Sequence, residues 1–172
     1  MNTNAKSFNS PPTRGSEGAS RLTECQSTLS GRSITPMRRA ENGEGVRLSP
    51  HFTLVEFTQS STARRLGIKN EVNSQHLANL TNLCRYVLEP LRKRFGQPIY
   101  VNSGYRSQEL NRAVGGAVKS FHLYGRAADI RAANLSDNNK LYALIKELRL
   151  PVHELLKEQV IKGIPTWIHV AI

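Results

Sequence analysis

Between Asn73 and Phe95, apolar residues recur at Leu77, Leu80, Leu83, Val87, Leu88, Leu91 and Phe95. Steps of three and four put them on one stripe of a long helix, and such a stripe is stable only when another layer covers it. A chain carrying it must build a core. Asn73 or Ser74 can cap the start of this helix, Gly96 stands where a C-terminal glycine belongs, and Pro90 inside the pattern predicts a kink. The covering layer lies downstream. Pro98 to Ser103 and Arg126 to Arg131 read as strands, and residues 154–161 and 165–171 form two more around the hairpin signal Lys162-Gly163. Short helical turns are expected at Phe52–Phe57 and Ser60–Gly67. Two further helices are expected from Ser107 to Val114, closed by Gly115-Gly116, and from a Ser136 cap to about Leu148. The fold class is α+β, with helices packed on one small, mainly antiparallel sheet.

The 172 residues suit one compact domain and an appendage. In residues 1–46 roughly half the positions are Ser, Thr, Asn, Gly or Pro, and the apolar residues there keep no period. Such a segment buries too little to offset chain entropy, so 1–46 is read as a flexible tail and 47–172 as the folded domain. No apolar run approaches the roughly 20 residues a membrane span needs. The start, MNTNAKSFNSPPTRG, has no apolar stretch of the kind a secretory signal carries. The expectation is therefore a chain made in the cytoplasm, with no transmembrane segment. Cys25 and Cys84 lack a neighbouring cysteine partner, which excludes a disulfide framework and a cysteine zinc site. A net charge of +11 draws the surface to polyanions, either nucleic acid or an anionic cell envelope. The Lys and Arg residues are scattered and no nucleic-acid-binding signature is present, so no specific nucleic-acid partner is expected. A monomer is expected.

Chemistry concentrates in the last third. In Ser120-Phe-His122-Leu-Tyr-Gly125-Arg-Ala-Ala-Asp129, His122 precedes Asp129 by seven positions. Fully extended, this would hold their Cα atoms about 23 Å apart. They can share a metal only if the chain doubles back, which Gly125 permits. Asp129 sits among small apolar residues, where a buried carboxylate needs a strong partner, either a metal or an arginine. In Trp167-Ile-His169-Val-Ala-Ile172, strand alternation sends Ile168, Val170 and Ile172 one way and Trp167, His169 and Ala171 the other. A lone histidine there could be a satisfied sheet residue. Two histidines and an aspartate make the N,N,O set that catalytic zinc sites use. With a hairpin loop of two or four residues, Glu154, Leu156 and Glu158 share the face of Trp167 and His169. Glu158 then falls opposite or diagonal to His169, placed to act as a base, or else is a solvated strand residue. Arg106, in Ser103-Gly-Tyr-Arg106-Ser107, could hold a substrate carboxylate or an oxyanion, or could tie its loop to a carboxylate.

These segments, in order, resemble the M15 family of zinc D-Ala-D-Ala carboxypeptidases and endolysin-type peptidases. The likeness rests on Ser103-Gly-Tyr-Arg-Ser, Leu110-Asn111, Val114-Gly-Gly116, Ser120-x-His-x-x-Gly-x-Ala-Ala-Asp129 and Trp167-Ile-His169. Leu48-Ser-Pro-His-Phe-Thr-Leu-x-Glu-Phe57 and Val87-Leu-Glu-Pro-Leu-Arg92 extend it over about residues 48–172. The resemblance implies that His122, Asp129 and His169 bind Zn2+, that Arg106 faces the substrate and that Ser120 supports the site or contacts substrate. It implies hydrolysis of a peptide bond in peptidoglycan stem peptides or cross-links, either carboxypeptidase-like or as an endopeptidase. With no signal read at the N-terminus, action on the envelope would follow release. Many members carry an acid three residues before the last histidine, where this chain has Thr166, and some carry a histidine two before, where it has Trp167. A related pattern ends its penultimate strand F-D-Q-L-I-x-E. This chain reads Val152-His-Glu-Leu-Leu-Lys-Glu158, which assigns the base to Glu158 with Glu154 in reserve. The missing acid leaves one alternative, a non-catalytic zinc-site module that binds cell-wall peptide.

Overall fold

The computed structural model describes residues 45–172, all within one compact unit. The tail expected over 1–46 lies outside the described residues except at its last two positions. There the Val46 carbonyl already accepts a hydrogen bond from the Leu54 N–H at 2.8 Å, so the domain's bonding starts one residue earlier than the composition suggests.

The chain opens with a small hairpin, β1 (Arg47–Ser49) and β2 (Phe52–Thr53), followed by α1 (Leu54–Thr58) and α2 (Ser61–Leu66). Gly67 ends α2 in the left-handed conformation, with φ of 66°, as its position implies. The long apolar stripe forms α3 (Ser74–Leu83), a π-helical turn over Cys84–Leu88 and α4 (Glu89–Phe95). Asn73 caps α3 through its side chain, which accepts from the His76 N–H. Pro90 has no N–H to give the carbonyl four residues back. The wider turn takes up the deficit, with the Glu89 N–H reaching the Cys84 carbonyl. Leu80, Leu83, Val87, Leu88 and Leu91 are all fully buried, so the stripe stays continuous through the turn.

β3 (Ile99–Ser103), α5 (Gln108–Ala113), β4 (Ala127–Ala132), α6 (Asn138–Glu147), β5 (Glu154–Ile161) and β6 (Ile164–Ala171) complete the domain. The four later strands make one antiparallel sheet in the order β3-β4-β6-β5. Together with the helices this is the expected α+β architecture. β5 and β6 meet in a two-residue turn at Lys162 and Gly163, with φ of 49° and 79°, the geometry that suits strand twist. One face of the sheet, with Ile130, Ile168 and Val170, is sealed in the core against the helical stripe. The other carries Asp129 and His169 toward the surface.

Two helix starts differ from expectation: Phe52 and Thr53 pair in the opening hairpin, so α1 begins at Leu54 where a helical turn was expected from Phe52, and the start of α6 also shifts. Ser136 does not cap α6. It lies in a short 3-10 turn over Leu135–Asp137, and α6 begins at Asn138. The Asn138 side chain is fully buried. It accepts from the Ala132 N–H at 2.8 Å and donates to the carbonyls of Pro165 and Thr166 at 2.8 and 3.0 Å. It fastens α6 to β4 and β6 instead of closing its own helix. No helix among the described residues is long and apolar enough to cross a membrane.

Candidate metal centre

Asp129 on β4 and His169 on β6 are direct cross-strand partners. That register puts their side chains on one face, with Cβ atoms about 4.5–5.5 Å apart. His122 reaches them from a 3-10 turn, Phe121–Tyr124, that precedes β4. Ser120 caps that turn by accepting from the His122 N–H at 3.3 Å. Gly125 then reverses the chain with φ of 65°, and a Cβ there would stand 2.9 Å from the His76 carbonyl oxygen, so the sharp return needs glycine. His122, Asp129 and His169 are all buried.

Three atoms converge. His122 Nε2 lies 3.2 Å from His169 Nδ1 and 3.3 Å from Asp129 Oδ1, and His169 Nδ1 lies 2.9 Å from Asp129 Oδ1. Tetrahedral zinc, with ligand bonds of about 2.0–2.1 Å, spaces neighbouring donor atoms by about 3.3–3.4 Å. The triangle is within a few tenths of an ångström of that, so the residues fit a tetrahedral cation with a fourth position facing the cleft.

The outer contacts select the lone pairs needed. His122 Nδ1–H donates to the Gly104 carbonyl at 2.6 Å, which leaves Nε2 free as a ligand. The loop that presents this carbonyl packs its backbone on α1 and needs glycine there, since a Cβ at Gly104 would lie 2.6 Å from Cβ of Phe57. On His169 the opposite nitrogen, Nε2, lies 3.2 Å from Glu154 Oε2, so Nε2–H donates outward and Nδ1 faces the cluster. Arg106 holds the far side of the carboxylate. Its Nη2 donates to Asp129 Oδ2 at 2.6 Å and its Nε to Ser103 Oγ at 2.8 Å. A β-bulge between Val101 and Ser103 brings Ser103 opposite Asp129 and so turns the serine toward the arginine.

Burial alone would raise the Asp129 carboxyl. Hydrogen bonds from His122 and His169, and the nearby charges of His122 and Arg106, outweigh it and hold the group far below the usual carboxylate range. His169 shows the same contest. Burial pulls the ring down, but the hydrogen bond to Asp129, its charge, and the charges of Glu154 and Glu158 raise it above an ordinary imidazole. A cation held by His122 Nε2, His169 Nδ1 and Asp129 Oδ1 would displace the ring protons that these hydrogen bonds use.

The two-residue turn settles the hairpin register on the side the alternation favoured. Leu156 is directly opposite His169, and Glu158, opposite Trp167, is diagonal to it. Glu154, opposite Ala171, is the other diagonal neighbour and is the one that reaches the ring. Sequence reasoning named Glu154 as a reserve base and missed it as the partner of His169. Alternation places both glutamates on the face, and only the side-chain reach tells them apart. The Gly104 carbonyl was also missed, although the Ser103-Gly-Tyr-Arg106 motif marked its loop. Glu154, Glu158, Arg106, Ser120 and Trp167 line one cleft of about 560 Å³ with the three converging residues. A second cleft, of about 490 Å³, shares Arg106, Asp129 and Trp167 and runs the other way past Asn102 to α2. The remaining histidines are elsewhere engaged: His51 with Glu89, His76 against Tyr105, and His153 against Phe121.

A small α+β domain with a buried two-histidine, one-carboxylate pocket on the open face of an antiparallel sheet defines the class as one that could hold a metal ion beside a cleft. A family model described as Peptidase M15 matches residues 50–171, and the chain belongs to that family. Over 48 residues it is 48% identical to the zinc D-Ala-D-Ala carboxypeptidase of Streptomyces albus G. That stretch is 27% of this chain and 19% of the relative, so the match spans about a fifth of the relative's length.

Proposed function

We propose that this chain is a zinc-dependent peptidase that hydrolyses a peptide bond in peptidoglycan stem peptides or their cross-links. The observation that carries this is the converging triangle of His122 Nε2, His169 Nδ1 and Asp129 Oδ1 at the floor of an open cleft. Membership of the peptidase M15 family and the likeness to a zinc D-Ala-D-Ala carboxypeptidase support the reaction class. Zinc in such a set polarises a carbonyl and makes water acidic enough to attack near neutral pH.

The chain's own residues supply the rest. Gly104 and Glu154 fix the two imidazole orientations, and Arg106 with Ser103 fixes the carboxylate. Glu158, on the same face and free of a hydrogen-bond partner among the described residues, accepts the proton of the attacking water. It returns that proton to the leaving amine as the C–N bond breaks. Two N–H groups of Arg106 are spent on Asp129 and Ser103. The others hold a substrate carboxylate or the oxygen that gains charge as the carbonyl is attacked. Ser120 supports His122 from below. A chain with net charge +11 is drawn to a wall rich in carboxylates.

Mass spectrometry of purified peptidoglycan after incubation with the protein tests the reading. New termini in the stem peptides are expected, lost with a chelator and restored by zinc. Unchanged fragments with zinc-loaded protein would instead favour a module that binds wall peptide without cutting it.

A further inference from the structure

Beside the metal cleft lies a second cavity, of about 520 Å³, within the range that holds small ligands. One wall is a row of carboxamides, Gln75, Asn79 and Asn82, on α3. Steps of four and three put all three on one helix face. The lining also holds two aromatic side chains, Phe121 and Tyr124, with the Arg126 guanidinium 5.9 Å from the centre of the Phe121 ring. The row is internally ordered: Gln75 Nε2 donates to Asn79 Oδ1 at 3.1 Å, and Asn79 Nδ2 donates to the Tyr124 carbonyl at 2.8 Å. Asn79 is thus a brace between helix and turn. Asn82 and Tyr124 are both exposed, Tyr124 at 52%; the Asn82 carboxamide has no hydrogen-bond partner among the described residues, and the Tyr124 ring is open to a ligand.

From this we infer that the cavity binds an acetamido sugar of the glycan strand. A pyranose presents a flat C–H face that packs on an aromatic ring and a rim of hydroxyls suited to amides. Its acetamido group offers one N–H and one C=O, which a primary carboxamide meets with its own acceptor and donor. Phe121 lines both this cavity and the metal cleft. A sugar held here would therefore lie alongside a peptide in the cleft, as a stem peptide lies beside the sugar that carries it. The choice of ligand rests on the proposed peptidoglycan reading, while the cavity's chemistry does not.

The test is a titration of the zinc-loaded full chain, labelled for NMR, with tetra-N-acetylchitotetraose as the probe. It reads binding without hydrolysis, so its failure is separate from failure of the peptidase reading. Saturable shifts are expected at the Asn82 side chain and at Phe121, Tyr124 and Arg126. Asn82→Ala combined with Tyr124→Ala should weaken binding about tenfold or more, the loss of one amide contact and one stacking face. Tyr124→Phe, which keeps the ring, should retain most of it. Cellotetraose, with the same ring faces and no acetamido groups, should bind more weakly. No saturable shift, shifts confined to other surfaces, undiminished binding by the double variant, or equal affinity for the two sugars would each overturn the assignment.

Discussion

Exchanging each glutamate of β5 for glutamine separates the two roles the hairpin geometry gives them. Glu154 sits 3.2 Å from His169 Nε2, on the side away from the converging atoms. Glutamine there can still accept the Nε2–H but without charge. Outer partners of metal-bound imidazoles typically contribute about 10–100-fold in metal affinity or activity. Glu154→Gln should therefore weaken zinc binding by about tenfold, the low end of that range, and leave turnover at saturating zinc little changed. Glu158 touches neither the rings nor Asp129 by hydrogen bond, so Glu158→Gln should leave zinc affinity near that of the parent. It should remove the proton acceptor and slow turnover by about 10²-fold or more. That is about 2.7 kcal/mol of barrier at 1.36 kcal/mol per decade. Zinc affinity would come from competition with a chelator, and turnover from release of amino groups from purified peptidoglycan. If Glu154→Gln is the slow variant at saturating zinc and Glu158→Gln is not, the two roles are exchanged. If neither slows hydrolysis, the acceptor is not on this face of β5.

Asn138→Ala should destabilise the domain by at least about 2 kcal/mol in denaturant unfolding, since it strands the buried Ala132 N–H and two carbonyls. For Glu89, burial raises the carboxyl, but the side-chain hydrogen bonds from His51 and Ser49, the His51 N–H and the His51 charge together lower it below the ordinary value of 4.5. A lowered native pKa means stability that is present above about 4.5 and lost as pH falls through the native value. Glu89→Gln should flatten the acid limb of a melting-temperature profile. Because residues 45–172 bury their own core, a chain beginning at Gly45 should keep the parent's melting temperature and zinc content.

Local pattern carried much of the fold. The stripe from Leu77 to Phe95 needed only its period, and Asn73, Gly67 and Gly96 marked ends that the backbone confirms. Pro90 predicted a kink, and the structure has a widened turn over Cys84–Leu88, whose form depends on packing that no local signal contains. Ser136 misled for a similar reason. A serine before a helical run is a sound cap signal, yet Asn138 is worth more buried between β4 and β6 than as a residue inside a helix started earlier. At the site, His122, Asp129 and His169 were legible as residue types and as motifs. The direct pairing of Asp129 with His169 was not, because the register between β4 and β6 is set by strands far apart in the chain. The distinction between Glu154 and Glu158 was beyond alternation altogether, since both are diagonal to His169.

The central claim is that His122, Asp129 and His169 hold one zinc, and elemental analysis of purified protein tests it most directly. The parent chain should carry about one zinc, and alanine at any of the three should remove most of it. Alanine at His51, His76 or His153, each engaged away from the cluster, should leave the content unchanged. A His169→Ala protein that retains stoichiometric zinc would contradict the account.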